Sequence, residues 1–335
     1  MSTACEKSPA RRFVPAGLTI HPFTASDADY ADAVRVVNAV FPEYMDTVGD
    51  WRFEDSHRAP HIQMRRWLAS LGGATVAYGN YSQFEDMYHP HKFSVFVAVL
   101  PAHQGQGIGA VLYDEIVSAV GWRDPISLRA RTREDVVRSV RFLRDRGFAE
   151  DMREWESRLD VDTFDPAPYA CHEVALRAEG IRIATLAELL ERDPDCREKL
   201  WDLDVELTRD VPYPEPPTPI TRQAFDAWVF NNPNFLPEGY VVARDGAHYV
   251  GSSALWDSKA DPRELYTGLT GVRRAYRRRG IALALKLRGI AYARQRGVKM
   301  IKTWNAQNNR GMLNINAALG FVKQPAWISL VKKFD

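Results

Sequence analysis

At 335 residues the chain is about twice the usual length of one domain, with an ordinary globular balance of 45% hydrophobic and 26% charged residues. Forty-four basic against 43 acidic side chains leave a formal charge of +1, so no long-range field gathers nucleic acid or an anionic membrane, and a small or peptide-like substrate fits better. Cys5, Cys171 and Cys196 show neither a disulfide framework nor zinc-ligand spacing, no apolar run approaches the roughly 18 residues of a membrane span, and the first residues lack a signal-peptide core, so a cytoplasmic protein with free thiols is expected.

Residues 1–15 read as a polar, mobile tail. The first unit, residues 16–164, opens with a strand near Gly17–Ile20 and helical sequence from Thr24 to Val40. Val95 to Ala110 then reads VFVAVLPAHQGQGIGA, an apolar strand, a glycine turn and the start of a helix striped by Ile108, Leu112, Ile116 and Ala119. Ile126, Leu128 and Ala130 alternate with Ser127, Arg129 and Arg131, which predicts a strand with one polar face. Glu134 to Arg146 reads as a helix closing at Gly147. Residues 165–175, with Pro166 and Pro168, form a linker.

Residues 176–335 repeat this order. Gly268 to Leu283 reads GLTGVRRAYRRRGIAL, and Val99 to Val272, Gly107 to Gly280 and Gly147-Phe148 to Gly320-Phe321 all lie 173 positions apart. The matching helix stripe is Ile281, Ala284, Leu287 and Ala291, the matching strand Val298 to Trp304, and the matching last helix Asn309 to Leu319. At the start of the copies the shift is only 163, so the second carries about ten extra residues, placed in the proline-rich stretch Val211 to Ile220. That stretch must be a stiff extended loop, either a surface connector or a cover over a substrate cleft.

Both glycine turns, Gln104-Gly105-Gln106-Gly107-Ile108-Gly109 and Arg277-Arg278-Arg279-Gly280-Ile281-Ala282, follow a strand and open a helix. A helix start carries unpartnered N–H groups and the positive end of the dipole, and small residues let an anion approach the main chain. Two such turns in register point to a phosphate-bearing ligand. The pattern Gln/Arg-x-x-Gly-x-Gly/Ala after a strand, followed by helix, strand, helix and Gly-Phe, resembles the GNAT N-acetyltransferase superfamily over nearly the whole chain, twice.

The resemblance implies an α+β fold of two tandem domains, each a mixed, mostly antiparallel sheet flanked by helices, with acetyl-CoA as co-substrate and a small amine as acceptor. It implies pyrophosphate contacts at Gln104, Gly105, Gln106, Gly107, Ile108, Gly109 and Ala110, and at Arg277, Arg278, Arg279, Gly280, Ile281 and Ala282. Pantetheine and thioester contacts fall on Val97, Ala98 and Val99, and on Leu269, Thr270, Gly271 and Val272. A family asparagine matches Asn309, where the first copy has Val136. The tyrosine that protonates the leaving thiolate in many members is replaced by Leu143 and Asn316. Asn309 and the arginines around Gly280, Arg273 and Arg274 included, rank the second copy as the better CoA site and catalyst, with Glu264 or Tyr266 as base and Asn316 at the general-acid position. His89, His91 and Ser94 occupy the base region of the first copy, and Asp202, Asp204 and Glu206 are placed to attract a cationic amine. A non-catalytic acyl-CoA sensor and a peptide N-acetyltransferase are the alternatives.

Overall fold

The structure is a computed structural model that describes residues 14–334; Cys5 and most of the polar tail expected at the N-terminus lie outside the described residues. In chain order the first half comprises β1 (Leu18–Pro22), α1 (Asp27–Val40), α2 (Val48–His57), β2 (Met64–Leu71), β3 (Ala74–Ser82), β4 (Lys92–Val99), α3 (Ile108–Gly121), β5 (Ser127–Arg133), α4 (Val137–Arg144) and β6 (Ala149–Asp160). The second comprises α5 (His172–Ala178), β7 (Ile181–Thr185), α6 (Leu186–Arg192), α7 (Cys196–Thr208), α8 (Arg222–Phe230), β8 (Phe235–Asp245), β9 (His248–Asp257), β10 (Glu264–Val272), α9 (Ile281–Gln295), β11 (Met300–Ala306), α10 (Arg310–Ala318), β12 (Val322–Lys323) and β13 (Trp327–Lys333). The surplus of the second copy is shared between the proline loop and α6, a helix without counterpart in the first; its Thr185 and Glu188 form a capping box, the local signal that starts it.

All strands join one mixed sheet in the order β1-β2-β3-β4-β5-β13-β6-β11-β10-β9-β8-β7, with β12 beside β6. The two copies therefore exchange strands. β13, the last strand of the second copy, lies between β5 and β6 of the first, pairing Leu330 with Ala130 on one side and Ser329 with Met152 on the other. β6 in turn pairs along its length with β11. Ile328 and Leu330 are buried in the core that α3 and α4 cover, against Leu112, Ile116, Leu128 and Val140. The opposite face of the first half packs under α1 and α2 through Tyr30, Val37, Trp51 and Tyr78, and that of the second under α7 and α8 through Leu200, Leu203 and Phe225.

The polar face expected of β5 is not a solvated one. Arg129 is buried with Nη1 2.6 Å from Asp151, Arg131 pairs with Glu154 at 2.9 Å, and Arg133 reaches Glu43 and Asp135. These cations line the junction of the halves, where a carboxylate partner offsets the cost of leaving water.

Because β13 belongs to the first half's core, Leu330→Ala should destabilise the protein by about 2–5 kcal/mol. Native-state hydrogen exchange should accelerate in β5 and β6, far from it in sequence, before it accelerates in β7 and β8.

Candidate active site

In each half, two neighbouring strands run parallel for three rungs and then part. β4 and β5 pair through Lys92 and Ser127, Phe93 and Leu128, Ser94 and Arg129; β10 and β11 pair through Glu264 and Met300, Leu265 and Ile301, Tyr266 and Lys302. Beyond the last rung β4 stays bound to β3 only, from Val95 to Val99. Leu100 N–H donates to Val76 O on the β3 side, so by the alternation of an antiparallel ladder the N–H groups of Val99 and Val97 face the open gap. Arg273 N–H donates to Val250 O, which turns the N–H of Val272 into the second gap in the same way.

Each gap ends at a glycine turn. Gly107 and Gly280 cap α3 and α9 with φ of 84° and 80°, and Gly105 stands at φ 81° where the second copy strains Arg278 into φ 63°. Among the described residues the backbone N–H groups of Gly105 to Gly109 meet no acceptor. The turn is held from behind by Gln104, whose side-chain amide donates to Val99 O at 3.0 Å, and Arg277 does the same for Val272 O at 2.9 Å.

The first gap opens into a cleft of about 590 Å³ lined by Val97, Ala98, Val99, Gln104, Gly105, Gly107, Gly109 and Ala110, with Tyr113, Arg138, Leu143 and the Phe41–Tyr44 segment as its other walls. Of the other residues of the turn, Ile108 sends its side chain into the core and Gln106 turns its side chain back to bond Ala102 O, leaving their backbone N–H groups at the turn. Arg138, on α4, was not singled out by the sequence. Its Nη1 stands 3.0 Å from where a side-chain carbon on Gly105 would lie, and it has no carboxylate partner among the described residues. A free guanidinium, unpartnered amides and a helix dipole converge on one point, which is an anion site built from the chain itself.

At the second turn the N–H groups of Arg278 to Ala282 likewise meet no acceptor among the described residues, but the side chains around it are engaged within the fold. His172, on α5, bonds Gly280 O through Nε2 at 3.0 Å, and its ring would sit 2.6 Å from any side-chain carbon at Gly280. Arg279 pairs with Glu179 at 2.9 Å, Arg277 and Arg274 share Asp210, and Arg273 pairs with Asp202 and Glu206. Those two arginines hold the Asp210 carboxyl down at about 2. The positive charge that ranked the second copy first is thus neutralised by its own carboxylates, Asp202 and Glu206 among them, and Arg278 alone of the group has no such partner among the described residues. Along the strand, Leu269 packs into the core under α7 and α8, Thr270 shares a hydroxyl bond with Ser253, Leu207 presses on Gly271, and Ile281 and Ala282 join the core beneath α5. Asn309 caps α10, accepting from Met312 N–H at 3.3 Å.

The candidate base and acid of the second copy are held by neighbours as well. Glu264 accepts from Lys302 Nζ at 2.6 Å; that lysine is buried, also donates to Glu43 O and ties the halves together. Tyr266 stacks on Trp304 with centroids 5.8 Å apart, and burial pushes its phenol up to about 12. Asn316 is buried and donates to Asn305 at 2.6 Å. The carboxylate is thus held by an ammonium and the amide is packed inside the fold.

In the first half, Tyr44 at the cleft wall donates to the buried Glu156, which also accepts from Arg158 and from Trp327 Nε1; burial, then the bond to Glu156, pushes the phenol up to about 12. In the second half, Asp204 on α7 has no cation partner among the described residues, and burial raises its carboxyl to about 6.

A parallel splay ending in a positive-φ glycine turn at a helix start, present twice in one sheet, defines a tandem acyl-CoA-type transferase fold. The model of the Acetyltransferase (GNAT) family matches residues 31–148 and 197–321, and the chain belongs to that family. It is similar in fold to the tandem GNAT protein from the clavulanic acid biosynthesis pathway, at 19% identity over 94% of this chain and 98% of that one with a TM-score of 0.73. It is similar also to a GCN5-related N-acetyltransferase from Sphaerobacter thermophilus, at 18% identity over 96% of both chains with a TM-score of 0.69. No curated protein matches it. Among the described residues no helix is long and apolar enough to cross a membrane.

Asp204 supplies a test of the electrostatics. Its folded pKa of about 6 lies above the ordinary value of 3.8, so its ionisation opposes folding above pH 6 and has no effect below pH 4. Asp204→Asn should therefore stabilise the protein at pH 8, by about 3 kcal/mol at most, and the gain should vanish at pH 4, as read by urea denaturation at both values.

Proposed function

We propose that the protein transfers an acetyl group from acetyl-CoA to a small amine, in the cleft of the first half, by direct attack of the amine on the thioester. The observation that carries this reading is the contrast between the two turns. The same backbone device with unmet amides is present twice; at Gly105–Gly109 it stands beside Arg138 and a cleft, whereas at the second turn the His172 ring lies against Gly280 and four of the five neighbouring arginines are paired. Positive-φ glycines, outward N–H groups and Arg138 fit a diphosphate; the slot between Val95–Val99 and Ala130–Arg133 fits the extended arm behind it. Acetyl-CoA itself supplies the activated acyl carbon.

The N–H groups of Val97 and Val99 are fixed by β3 before any ligand arrives, so they are preorganised donors for the oxygen that becomes negative in the tetrahedral transition state. Holding both reactants in the cleft replaces a bimolecular encounter by a local one, and no covalent enzyme intermediate is needed. The carboxylates lining the cleft, Glu43 and Asp135, are both engaged by Arg133, so neither is a free base for the amine.

Titration with acetyl-CoA should give one site per chain. Arg138→Ala should weaken binding about tenfold, the cost of one charge-assisted phosphate contact, whereas Arg277→Ala should leave it within twofold. Two sites per chain, or the reverse ranking of the arginines, would move the active centre to the second copy. Release of CoA should follow on adding amines; tight binding with no release from any amine supports the sensor alternative, for which the absence of tyrosine at Leu143 and Asn316 is the motive.

A further inference from the structure

We propose that the second half builds the acceptor site of the first: its Val211–Ile220 loop walls the side of the cleft from which the amine arrives, and with Asp204 it selects an acceptor that is a cation. This rests on the first-half cleft being the acetyl-CoA site.

The loop leaves its own half and docks on the first. Thr218 N–H donates to Asp86 O at 2.7 Å, and Thr218 Oγ1 accepts from Tyr88 N–H at 2.8 Å. Glu215 accepts from Lys92 Nζ at 2.7 Å and lies 3.8 Å from the buried Arg129 guanidinium. Lys92 is on the first of the three rungs joining β4 to β5, and Arg129 is on the last, opposite Ser94. The loop is thus pinned across the point where the strands part, which is the acyl end of the slot, opposite the glycine turn. Helices α3 and α4 cover the other face of the same strands, and α1 and α2 cover the loop face at Phe96 and Ala98, so the loop stands over the remainder of that face at Lys92 and Ser94. Its prolines keep the segment extended without further support.

The charge there is one-sided. Three carboxylates, Asp86, Glu154 and Asp204, act on the phenol of Tyr213 in the middle of the loop. Arg131 neutralises Glu154, whereas Asp86 from the first half and Asp204 from the second have no cation partner among the described residues. An ammonium beside Tyr213 compensates both; a neutral or anionic acceptor leaves two carboxylates near one phenol without a cation. In the second copy the His172 ring lies against Gly280 and Arg279 is paired with Glu179, so its side chains at the turn face its own chain while the loop faces the first half.

The test uses the full chain and acetyl-CoA, with 1,5-diaminopentane as a dication and aniline as an amine that arrives uncharged, following CoA release. Wild type should favour the diamine in kcat/KM at least tenfold. Asp204→Asn, and separately Glu215→Ala with Thr218→Val, should cut that preference at least tenfold through KM of the diamine, with acetyl-CoA affinity held within twofold as the control for folding. Equal or reversed preference in wild type, no turnover of the diamine, or a preference untouched by both variants overturns the proposal while leaving acetyl-CoA binding at the first half intact. Failure of wild type to bind acetyl-CoA overturns the parent reading, and this one with it.

Discussion

Three parallel rungs join β4 to β5, and everything at the site depends on there being no fourth. Had the ladder continued, the N–H groups of Val97 and Val99 would be spent on β5, and the slot that ends at Gly105–Gly109 would not exist. Unpaired strand edges inside a fold are costly unless something satisfies them. Here β3 holds β4 from one side and β13 holds β5 from the other, so the gap can stay open without either strand being lost from the sheet. The exchange of β13 between copies is therefore part of the site's construction, because the strand that braces the cleft of the first half is supplied by the second.

The two copies show how one backbone device takes two fates. Positive-φ glycine at 107 and 280, the strand carbonyl caught by Gln104 or Arg277, and the splay after the third rung are reproduced almost atom for atom. Side chains decide the rest. The first turn offers amides and Arg138 with nothing set against them. The second is answered from within, since Glu179, Asp210, Glu206 and Asp202 stand as counter-anions to its arginines and His172 covers its glycine. A cluster of like charges in a folded protein must be compensated by ligand or by chain, and four carboxylates in reach make the chain the compensator.

The repeat was legible because equal spacing of Val99, Gly107 and Gly147-Phe148 with their partners needs no tertiary information, and the glycine turns were legible because only glycine accepts their φ. Strand exchange was not, since β13 carries the same apolar alternation whichever half it enters. The internal pairing of the second copy's arginines was hidden for a related reason. Arg273 to Arg279 read as a basic patch along the chain, but their partners lie from 64 residues away at Asp210–Arg274 to 100 away at Glu179–Arg279. Conversely Arg138 gave no local signal, being one arginine among several on an amphipathic helix. Glu264 illustrates the same limit, because the lysine that holds it, Lys302, sits on the neighbouring strand two rungs on, opposite Tyr266.

The junction of the halves carries the remaining consequence. Lys302 bonds Glu264 of its own copy and the Glu43 carbonyl of the other, Glu156 gathers Tyr44, Arg158 and Trp327, and Asn234 of the second half bonds Asp50 of the first. Glu43 and Tyr44 are walls of the cleft, so their positions are set by β6, β11 and β13 rather than by the first copy alone. Buried charge networks of this kind are strongly destabilised when one member is removed, which makes the relative placement of the copies a rigid quantity. Two copies locked in this way cannot drift independently. The second copy therefore fixes the geometry of the first, and its sequence is constrained at the junction independently of the turn at Gly280.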